Sequence, residues 1–501
     1  MQESFRSGAR FGLDIVRPKP EKDRTPSMQR AQLKSFLTVC LLFTAGAFGS
    51  SASAGTVWPQ FRGPNCSGVS DSDKPPVEFG PKTNLLWKTE LPSGVSSPCV
   101  WRDRVFLTAF ASNQLETICI ARRNGRILWR QTAPTGRIEA TNPTSSPASA
   151  TPAADGKRVY VYFGSFGLLA YDFKGREVWR KPLPIPATLN GSGTSPALME
   201  DRLIVNRDQE EGKSSVLALD ARTGRSLWEA PRPEFFSSYG TPVSWKRGRT
   251  TDVVLTGSYR VVGYDLKGGT EKWSARGLEA LSVCPTPVIG ENQLYVMSYS
   301  FGASKMPAYG ELTTEMDKDG DQKISREEAP GFLKGLFDLL DKNKDGLVSE
   351  VEWNANLAML NKGEHGVFAV RAPGNGDVTA THVVWKQKRG AATVSSPLFY
   401  RGRVYVVQDG GRVTCYAAKA GTILFEQERL GTEGAYHASP VAADGKIYFA
   451  STRGTVSVVE AGDTLKVLAQ NKLSETIAAT PAIADNILYV RTANHLWAFG
   501  K

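Results

Sequence analysis

The sequence has little of the residue types that most often carry catalytic chemistry. Its 501 residues include only four histidines and six cysteines. No H-E-x-x-H, G-x-S-x-G or protein-kinase motif set occurs, so the enzyme classes that such motifs identify are not indicated. We interpret His437, which lies alone before Ser439-Pro440, as a structural residue. The sequence offers no catalytic residue.

Cysteine use is also sparse and irregular. No C-x-x-C pair and no C-x-x-C-H motif for covalent haem is present. An odd number of cysteines follows residue 54. Cys99 and Cys119 are expected on the first and third strands of one blade, and two strand spacings would hold them too far apart for a disulfide. We therefore expect buried free thiols at Cys66, Cys99, Cys119, Cys284 and Cys415.

Long apolar runs are absent except near the N-terminus. Residues 36–49 read FLTVCLLFTAGAFG, and the small-residue sequence Ala52-Ser53-Ala54 follows. This pattern predicts a secretory signal peptide within residues 1–54, cleaved after Ala54. The run is too short for a transmembrane anchor, and Cys40 is poorly placed for lipid attachment. We expect a periplasmic or secreted protein, with Met1 or Met28 as its start.

The net charge of +11 does not indicate a nucleic-acid partner. Residues 1–54 contain eight basic and four acidic residues, so they account for +4 and leave +7 on the remaining 447 residues. The remaining basic residues are dispersed among acidic ones. A solvated surface is the simpler explanation, and we expect no nucleic-acid binding.

One stretch shows the pattern that most of the chain repeats. Residues 151–180 read TPAADGKRVYVYFGSFGLLAYDFKGREVWR. Asp155-Gly156 and the segment 172–175 are turn signals between short β-branched and aromatic runs. The pattern predicts strands joined by hairpin turns. A sheet this small cannot bury both faces alone, so it needs neighbouring copies.

Ser/Thr-Pro pairs mark the neighbouring copies. Their prolines are 41 to 54 residues apart, except for 110 residues between Pro287 and Pro397, which is one period plus an insert of about 65. A period near 45 residues with four strands is typical of a β-propeller. The eight prolines are Pro98, Pro152, Pro196, Pro242, Pro287, Pro397, Pro440 and Pro481. We therefore predict an all-β fold, an eight-bladed propeller of four-stranded antiparallel blades.

The two ends of the repeat region complement each other. The last repeat has residues for three strands only, whereas a spare strand precedes the first Ser-Pro pair. We predict that residues 84–91 pair with the strand around Leu496 to Phe499 and close the ring. We also predict that Trp129, Trp179, Trp228 and Trp273 occupy one equivalent position between blades.

The repeats resemble a known family. Stretches that run from Ala or Tyr through Asp and a glycine turn to Trp occur at Ala218 to Trp228, Tyr171 to Trp179 and Tyr264 to Trp273. They are similar to pyrroloquinoline-quinone-type repeats, and the resemblance covers about residues 85–501 outside the insert. That family includes quinoprotein dehydrogenases and the non-enzymatic lipoprotein propeller of the outer-membrane β-barrel assembly machinery. The resemblance is specific for the fold and weak for activity.

The insert changes from strand to helical periodicity and contains two acidic twelve-residue stretches. The second, 341–352, resembles an EF-hand calcium loop at every position, with Gly346 at the turn. Its expected oxygen donors are Asp341, Asn343, Asp345, the carbonyl of Leu347, Ser349 and Glu352. We expect this pair of helix-flanked loops to form a small α-helical module in blade five, with Val348 and Ile324 paired between the loops.

The first stretch, 317–328, departs from the pattern once. Gln322 stands where the turn requires glycine, which predicts a left-handed residue and weaker binding. Its expected donors are Asp317, Asp319, Asp321, the carbonyl of Lys323, Ser325 and Glu328. The alternative is a decayed helical hairpin that binds no metal.

These observations divide the chain and lead to a functional hypothesis. We expect an N-terminal extension with signal peptide at 1–54, an extended arm at 55–83, blades at 84–302, the calcium module at 303–365 and further blades at 366–501. The hypothesis is a monomeric, calcium-binding scaffold propeller without catalysis, whose partners are envelope or secreted proteins or a glycan. The alternative is a pyrroloquinoline-quinone-dependent dehydrogenase. The resemblance implies adjacent cysteines in such an enzyme, and this sequence has none. A glycan-processing enzyme is a third option.

Overall fold

The computed structural model describes most of the chain after residue 56. The described residues are 57–134, 136–188, 190–210, 213–278, 280, 282–299, 307–330, 333, 337, 340–361, 365–371 and 374–501. The predicted leader, 1–54, lies outside them. Eight small antiparallel sheets form an eight-bladed β-propeller, which confirms the predicted fold.

Each blade starts with a short inner strand directly after its Ser/Thr-Pro pair. Three longer strands follow outward. Blade one consists of Cys99–Trp101, Arg104–Ala111, Gln114–Ala121 and Ile127–Thr132, and blade two of Ala153–Ala154, Arg158–Phe163, Gly167–Asp172 and Glu177–Pro182. Blade three consists of Ala197–Met199, Arg202–Arg207, Ser215–Asp220 and Ser226–Pro231, and blade four of Val243–Arg247, Thr250–Thr256, Tyr259–Asp265 and Glu271–Leu278. Val57–Trp58 adds to the inner edge of blade one, and Gly376–Asp377 adds to the outer edge of blade four.

Blades five to eight follow the same plan. Blade five consists of Val288–Gly290, Gln293–Ser298, Gly366–Arg371 and Val383–Gln387, and blade six of Leu398–Tyr400, Arg403–Gln408, Arg412–Ala417 and Ile423–Arg429. Blade seven consists of Val441–Ala443, Lys446–Ala450, Thr455–Glu460 and Lys466–Lys472, and blade eight of Ala482–Ala484, Ile487–Arg491, His495–Phe499 and Leu85–Glu90. The helices bounded within the described residues are the 3-10 turn Pro64–Cys66 and the α-helices Tyr309–Met316, Glu350–Asn361 and Thr379–His382.

The middle strands of each blade are apolar because both of their faces are covered. Arg158–Phe163 and Gly167–Asp172 are almost entirely buried, whereas most of the residues in the outer strand Glu177–Pro182 are exposed to solvent. The hydrophobic clusters draw their members from adjacent blades; one cluster, for example, joins Tyr160 and Leu168 of blade two to Leu203 and Leu217 of blade three. The core is therefore a series of blade-to-blade interfaces.

The ring is closed by strands from the two ends of the repeat region. Leu85–Glu90 pairs antiparallel with His495–Phe499 and becomes the outer strand of blade eight. Phe79 stacks near Phe499, and Leu91, Leu488 and Val490 are buried with them. This confirms the predicted closure, which leaves no unpaired strand where the last blade meets the first.

Five tryptophans on outer strands form equivalent contacts with the next blade. The Trp179 indole N–H donates to the Ala221 carbonyl at 3.0 Å, and its ring packs over Gly224. A Cβ at Gly224, where φ is +71°, would lie 2.6 Å from the ring, so the turn requires glycine. The same contact is made by Trp87, Trp129, Trp179, Trp228 and Trp385.

Trp273 has the predicted position, because it faces Gly263 in the same strand register as the other tryptophans and packs in a cluster between blades four and five, but its hydrogen bond differs from theirs. Its indole donates to Asp252 within its own blade at 2.8 Å, and the ring is completely buried. The reason lies in blade five, whose last two strands are not joined by the usual tight glycine turn. Instead, Gly376–Asp377, in the connection between those two strands, pairs in parallel with Trp273 and Ser274.

We expect Trp179→Ala to lower the free energy of unfolding by about 3–5 kcal/mol, because it removes a large buried ring and one hydrogen bond between blades. Chemical denaturation measures the change. The neighbouring residue Val178 is 44% exposed, so Val178→Ala is the matched control and should shift stability by less than about 0.5 kcal/mol. Equal stabilities of the two variants would contradict the packing role.

The insert lies between the second and third strands of blade five. Its described part contains the helices Tyr309–Met316 and Glu350–Asn361 and a two-stranded sheet that pairs Ile324 with Val348. Connections between second and third strands lie on the same face of a propeller as connections between blades. None of the helices within the described residues is long and apolar enough to cross a membrane.

Candidate functional site

The residue before each repeat proline lies at the channel in the centre of the propeller. All eight of these residues line one cavity of about 500 Å³, and each is only 1–3% exposed. We call this set the hydroxyl ring. Its members are Ser97, Thr151, Ser195, Thr241, Thr286, Ser396, Ser439 and Thr480.

Hydrogen bonds connect the hydroxyl ring from blade to blade. Seven bonds join blades one to eight in order, because the backbone N–H of each member donates to the hydroxyl oxygen of the next at 2.9–3.3 Å. Arg491 of blade eight donates to the Ser96 carbonyl, the Ser96 hydroxyl and the Thr108 carbonyl of blade one. Burial lowers the pKa of Arg491 to about 9. The ring therefore fixes the blades around the channel.

The N-terminal arm, residues 57–79, closes one face of the propeller. It contacts the ends of the first strands and the turns that follow them, so this face, the arm face, is opposite the Ser/Thr-Pro pairs. The arm hydrogen-bonds to Ala154, Leu198, Ser244, Ala442 and Asn486 in blades two, three, four, seven and eight. Phe61 of the arm lines the cavity, so the arm forms its floor.

The opposite face, the open face, carries the mouth of the cavity. Its lining there comes from connections between blades, where Asn142, Thr144 and Val394 are exposed. Tyr239, which accepts hydrogen bonds from Asn190, also lines the cavity. Among the described lining residues there is no Asp, Glu, Lys or Arg; the one ionisable cation former is His437.

A buried carboxyl group joins two of the connections at the mouth. Glu139 is 6% exposed, and its Oε2 accepts hydrogen bonds from the Ser192 backbone N–H at 3.0 Å and hydroxyl at 2.8 Å. Its other oxygen, Oε1, has no partner within the described residues. Burial raises the pKa of Glu139 to about 7, against the lowering effect of the Ser192 hydrogen bonds. The carboxyl group is therefore partly protonated at neutral pH.

We expect Glu139 to make the propeller less stable as the pH rises from about 4.5 to about 7. The unfolded chain releases this proton near its ordinary pKa of 4.5 whereas the folded chain keeps it until about 7. The loss approaches about 3 kcal/mol above pH 7. Glu139→Gln should flatten this part of the profile of melting temperature against pH, and the exposed control Glu90→Gln should keep it. The same profile for both variants would contradict this assignment.

The second loop of the insert, 341–352, holds its carboxylates in a connected arrangement. Asp341 and Glu352 are each 7% exposed. Asp341 accepts hydrogen bonds from the backbone N–H groups of Asp345 and Gly346, and Glu352 accepts from Lys342, Asn343 and Ser349. Although burial alone would raise the pKa of Glu352, the bonds from Ser349 and the loop hold it below its ordinary value. Both carboxyl groups thus accept hydrogen bonds from the same loop, and that of Glu352 is ionised at neutral pH.

The first loop, 317–328, has the same fold but is more open. Oxygen atoms of Asp317, Asp319 and Asp321 lie within 4.8 Å of one another, and the latter two residues are exposed. Hydrogen bonds from Ser325 and Lys318 lower the pKa of Glu328 to about 2. Gln322 has φ +61°, which confirms the predicted left-handed residue at this turn; its counterpart Gly346 has φ +87°.

The remaining predicted donors take part in hydrogen bonds within their own loops. Lys323 and Leu347, expected to offer carbonyl groups, each donate their N–H to an aspartate earlier in their own loop. The sheet register also pairs Ser325 with Leu347, which brings the two loops side by side. Asn343 donates to Asp345, and Ser349 donates to Glu352. These bonds order the two loops, and the calcium sites stay a prediction.

The sequence identified these loops but did not identify the cavity as a site. The five cysteines after residue 56 are free, as expected, and Cys284 lines the cavity. Phe61, Tyr239, Asn142 and Asn190 were not recognised, because they lie in non-repeating segments. The only sequence signal for the cavity is the recurring Ser/Thr before proline.

The fold and the ring define an eight-bladed propeller built from pyrroloquinoline-quinone-like repeats. Residues 115–315 and 334–491 match the family model of outer membrane protein assembly factor BamB. The match spans more than half of the chain, so the chain belongs to this family. No curated protein sequence matches it.

Several solved structures share the fold at low sequence identity. BamB from Moraxella catarrhalis is 14% identical, with a TM-score of 0.51, and the match covers 83% of this chain and 98% of that protein. A europium-containing methanol dehydrogenase is 11% identical, with a TM-score of 0.55 and coverage of 90% and 99%. A quinohemoprotein alcohol dehydrogenase from Comamonas testosteroni is 13% identical, with a TM-score of 0.54 and coverage of 90% and 82%. At these identities the similarity establishes the fold alone.

The described lining of the cavity does not fit pyrroloquinoline quinone. This cofactor is a tricarboxylate, and a buried carboxylate needs a cation or several directed donors to offset its desolvation. The cavity has no Arg or Lys within the described residues, and His437 is a single imidazole. The sequence has no adjacent cysteines. The residues present therefore do not form a site for the quinone.

Proposed function

We propose that the protein is a non-catalytic binding propeller of the cell envelope that docks other proteins and carries a calcium-binding insert. The observation that carries this proposal is the uncharged channel in a fold shared with both BamB and quinone-dependent dehydrogenases. Membership of the BamB family supports an envelope location and protein partners. The predicted signal peptide is consistent with this location.

The arm supports the open face as the docking face. Residues 57–79 cover the ends of the first strands on the arm face, whereas the insert and the connections between blades lie on the open face. The blades offer a broad surface there. We infer that partner proteins contact this face.

Site-specific photo-crosslinking in living cells tests the docking proposal. Asn113, an exposed turn residue on the open face, and Lys157, an exposed turn residue on the arm face, form a matched pair. A photo-reactive residue at position 113 should capture an envelope protein that position 157 does not capture. Capture at neither position, or equal capture at both, would contradict the proposal.

The dehydrogenase alternative has its own test. The purified chain is mixed with pyrroloquinoline quinone and calcium, and bound quinone and dye reduction with alcohols or glucose are measured. We expect neither stoichiometric quinone nor turnover. Bound quinone with turnover would replace the scaffold proposal by the enzymatic one.

The calcium part of the proposal rests on the donors of the two loops. The second loop should bind more tightly, because Asp341 and Glu352 are buried and hydrogen-bonded within the loop and because Gly346 accommodates the turn. The first loop has exposed carboxylates and Gln322 in the left-handed conformation. Calorimetric titration with calcium should resolve two sites of unequal affinity, and a chain that releases no heat with calcium would exclude both.

A further inference from the structure

We propose that the channel cavity is a binding site for a small uncharged polyhydroxyl ligand, such as a sugar unit, that enters from the open face. The site consists of the hydroxyl ring, the floor residue Phe61 and the mouth residues Asn142, Asn190 and Tyr239. It is separate from the calcium loops and does not depend on protein docking.

The hydroxyl ring has unused hydrogen-bonding capacity. Seven of its oxygen atoms each accept one backbone N–H. A hydroxyl group can also donate one hydrogen bond and accept a second. Within the described residues none of the eight hydroxyl hydrogens meets a protein acceptor, although the side chains are 1–3% exposed. Nearly buried donors need an acceptor, and the surface that they do expose lines the cavity.

The mouth adds groups of both hydrogen-bonding types. The Asn142 amide N–H₂ and the Asn190 side-chain oxygen have no partner within the described residues, while their other side-chain atoms are bonded to Thr144 and Tyr239. Donors and acceptors are thus mixed around one space. Sugar hydroxyl groups are themselves both donors and acceptors, so they match this lining better than a ligand with acceptors only.

The lining also selects against charge. Transfer of an ionised group into a cavity without a counter-charge is costly. The described lining contains no Asp, Glu, Lys or Arg. Phe61 at the floor and Tyr239 at the side provide aromatic surface for the C–H face of a sugar ring. The volume of about 500 Å³ is in the range of small-molecule sites.

The channel could instead hold water alone, with the hydroxyl ring serving only to fasten the blades. Ligand titration separates the two possibilities. Two matched pairs of probes differ mainly in charge: glucose against glucuronate, and N-acetylglucosamine against glucosamine. Isothermal titration calorimetry measures their affinities, and saturation-transfer NMR confirms contact with the protein.

Two valine variants locate the binding. Val394 is 40% exposed and lines the mouth, whereas Val467 is 37% exposed on the outer strand of blade seven. Val394→Trp places an indole at the entrance, and Val467→Trp is the matched control. Equal melting temperatures establish that both variants are folded.

We expect at least one neutral sugar to bind the wild-type chain and Val467→Trp equally. Val394→Trp should weaken this binding by at least about tenfold, and the charged member of each pair should bind at least about tenfold more weakly than its neutral partner. The proposal is overturned if neither neutral sugar binds, if a charged analogue binds as tightly as its partner, or if Val394→Trp binds like the control.

Discussion

Removal of residues 490–501 should make the protein aggregate. The deletion takes away the strand His495–Phe499, which lies between Ile487–Arg491 and Leu85–Glu90 in blade eight. It also removes Arg491, which joins blade eight to Ser96 and Thr108 of blade one. Both neighbouring strands would then have unpaired backbone groups, which template association with other chains.

The closing strand contributes buried side chains as well as backbone hydrogen bonds. Leu496, Trp497 and Phe499 belong to a buried cluster that spans blades seven, eight and one. Their loss exposes apolar surface at the same place as the open edge. We therefore expect material that sediments or elutes as large oligomers in size-exclusion chromatography.

A shorter deletion provides the control. Lys501 is exposed, so a chain that ends at Gly500 should remain a soluble monomer with an unchanged melting temperature. A soluble monomer after removal of residues 490–501 would show that the closing strand is dispensable, contrary to this account.

Chelation of calcium should increase hydrogen exchange across about residues 311–360 and leave the propeller protected. Without a cation the oxygens of Asp341, Asp345 and Glu352 repel one another across one turn. The cluster that joins the insert's helices is small and separate, with Tyr309, Leu312 and Trp353 among its members. A ligand that binds only the ordered form stabilises it by about 2.7 kcal/mol at a hundred times its dissociation constant.

The propeller does not use the carboxylates of the insert. Strands around Val159, Leu203 and Val404 belong to clusters between blades that contain no residue of the calcium loops. Their exchange should be the same with and without chelator. Outside the cell, a calcium concentration of ~10⁻³ M would occupy even a site as weak as those of extracellular calcium-binding modules.

Two glutamate variants provide matched tests of this division. Glu352→Gln should resemble chelation more fully than Glu328→Gln, because Glu352 is buried and its loop has glycine at the strained turn. Unchanged exchange in the insert after chelation would contradict the calcium proposal. Unfolding of the whole propeller would contradict the separation of the two parts.

The blade count and the closure could be predicted because the information is local and repeated. Each copy has its own Ser/Thr-Pro start, its turn signals and its apolar runs. An irregular repeat can therefore be recognised by comparison with the regular ones. The left-handed Gln322 was predictable for the same reason, since a loop of fixed spacing specifies the conformation of each position. The hydrogen bond of the Trp273 indole to Asp252 was not, because the neighbouring turn of blade five is replaced by a longer connection that contains Gly376–Asp377.

The sequence by itself determined the all-β repeat, the order of strands in each blade and the two loops of acidic donors, since these follow from spacing along the chain. Only the tertiary structure decided where Phe61 and the arm lie, why Glu139 keeps its proton up to about pH 7, and that eight hydroxyl groups meet in one cavity whose described lining has no Asp, Glu, Lys or Arg. The physical reason is distance along the chain. Burial and counter-charge come from residues tens to hundreds of positions apart, which only closure of the ring brings together.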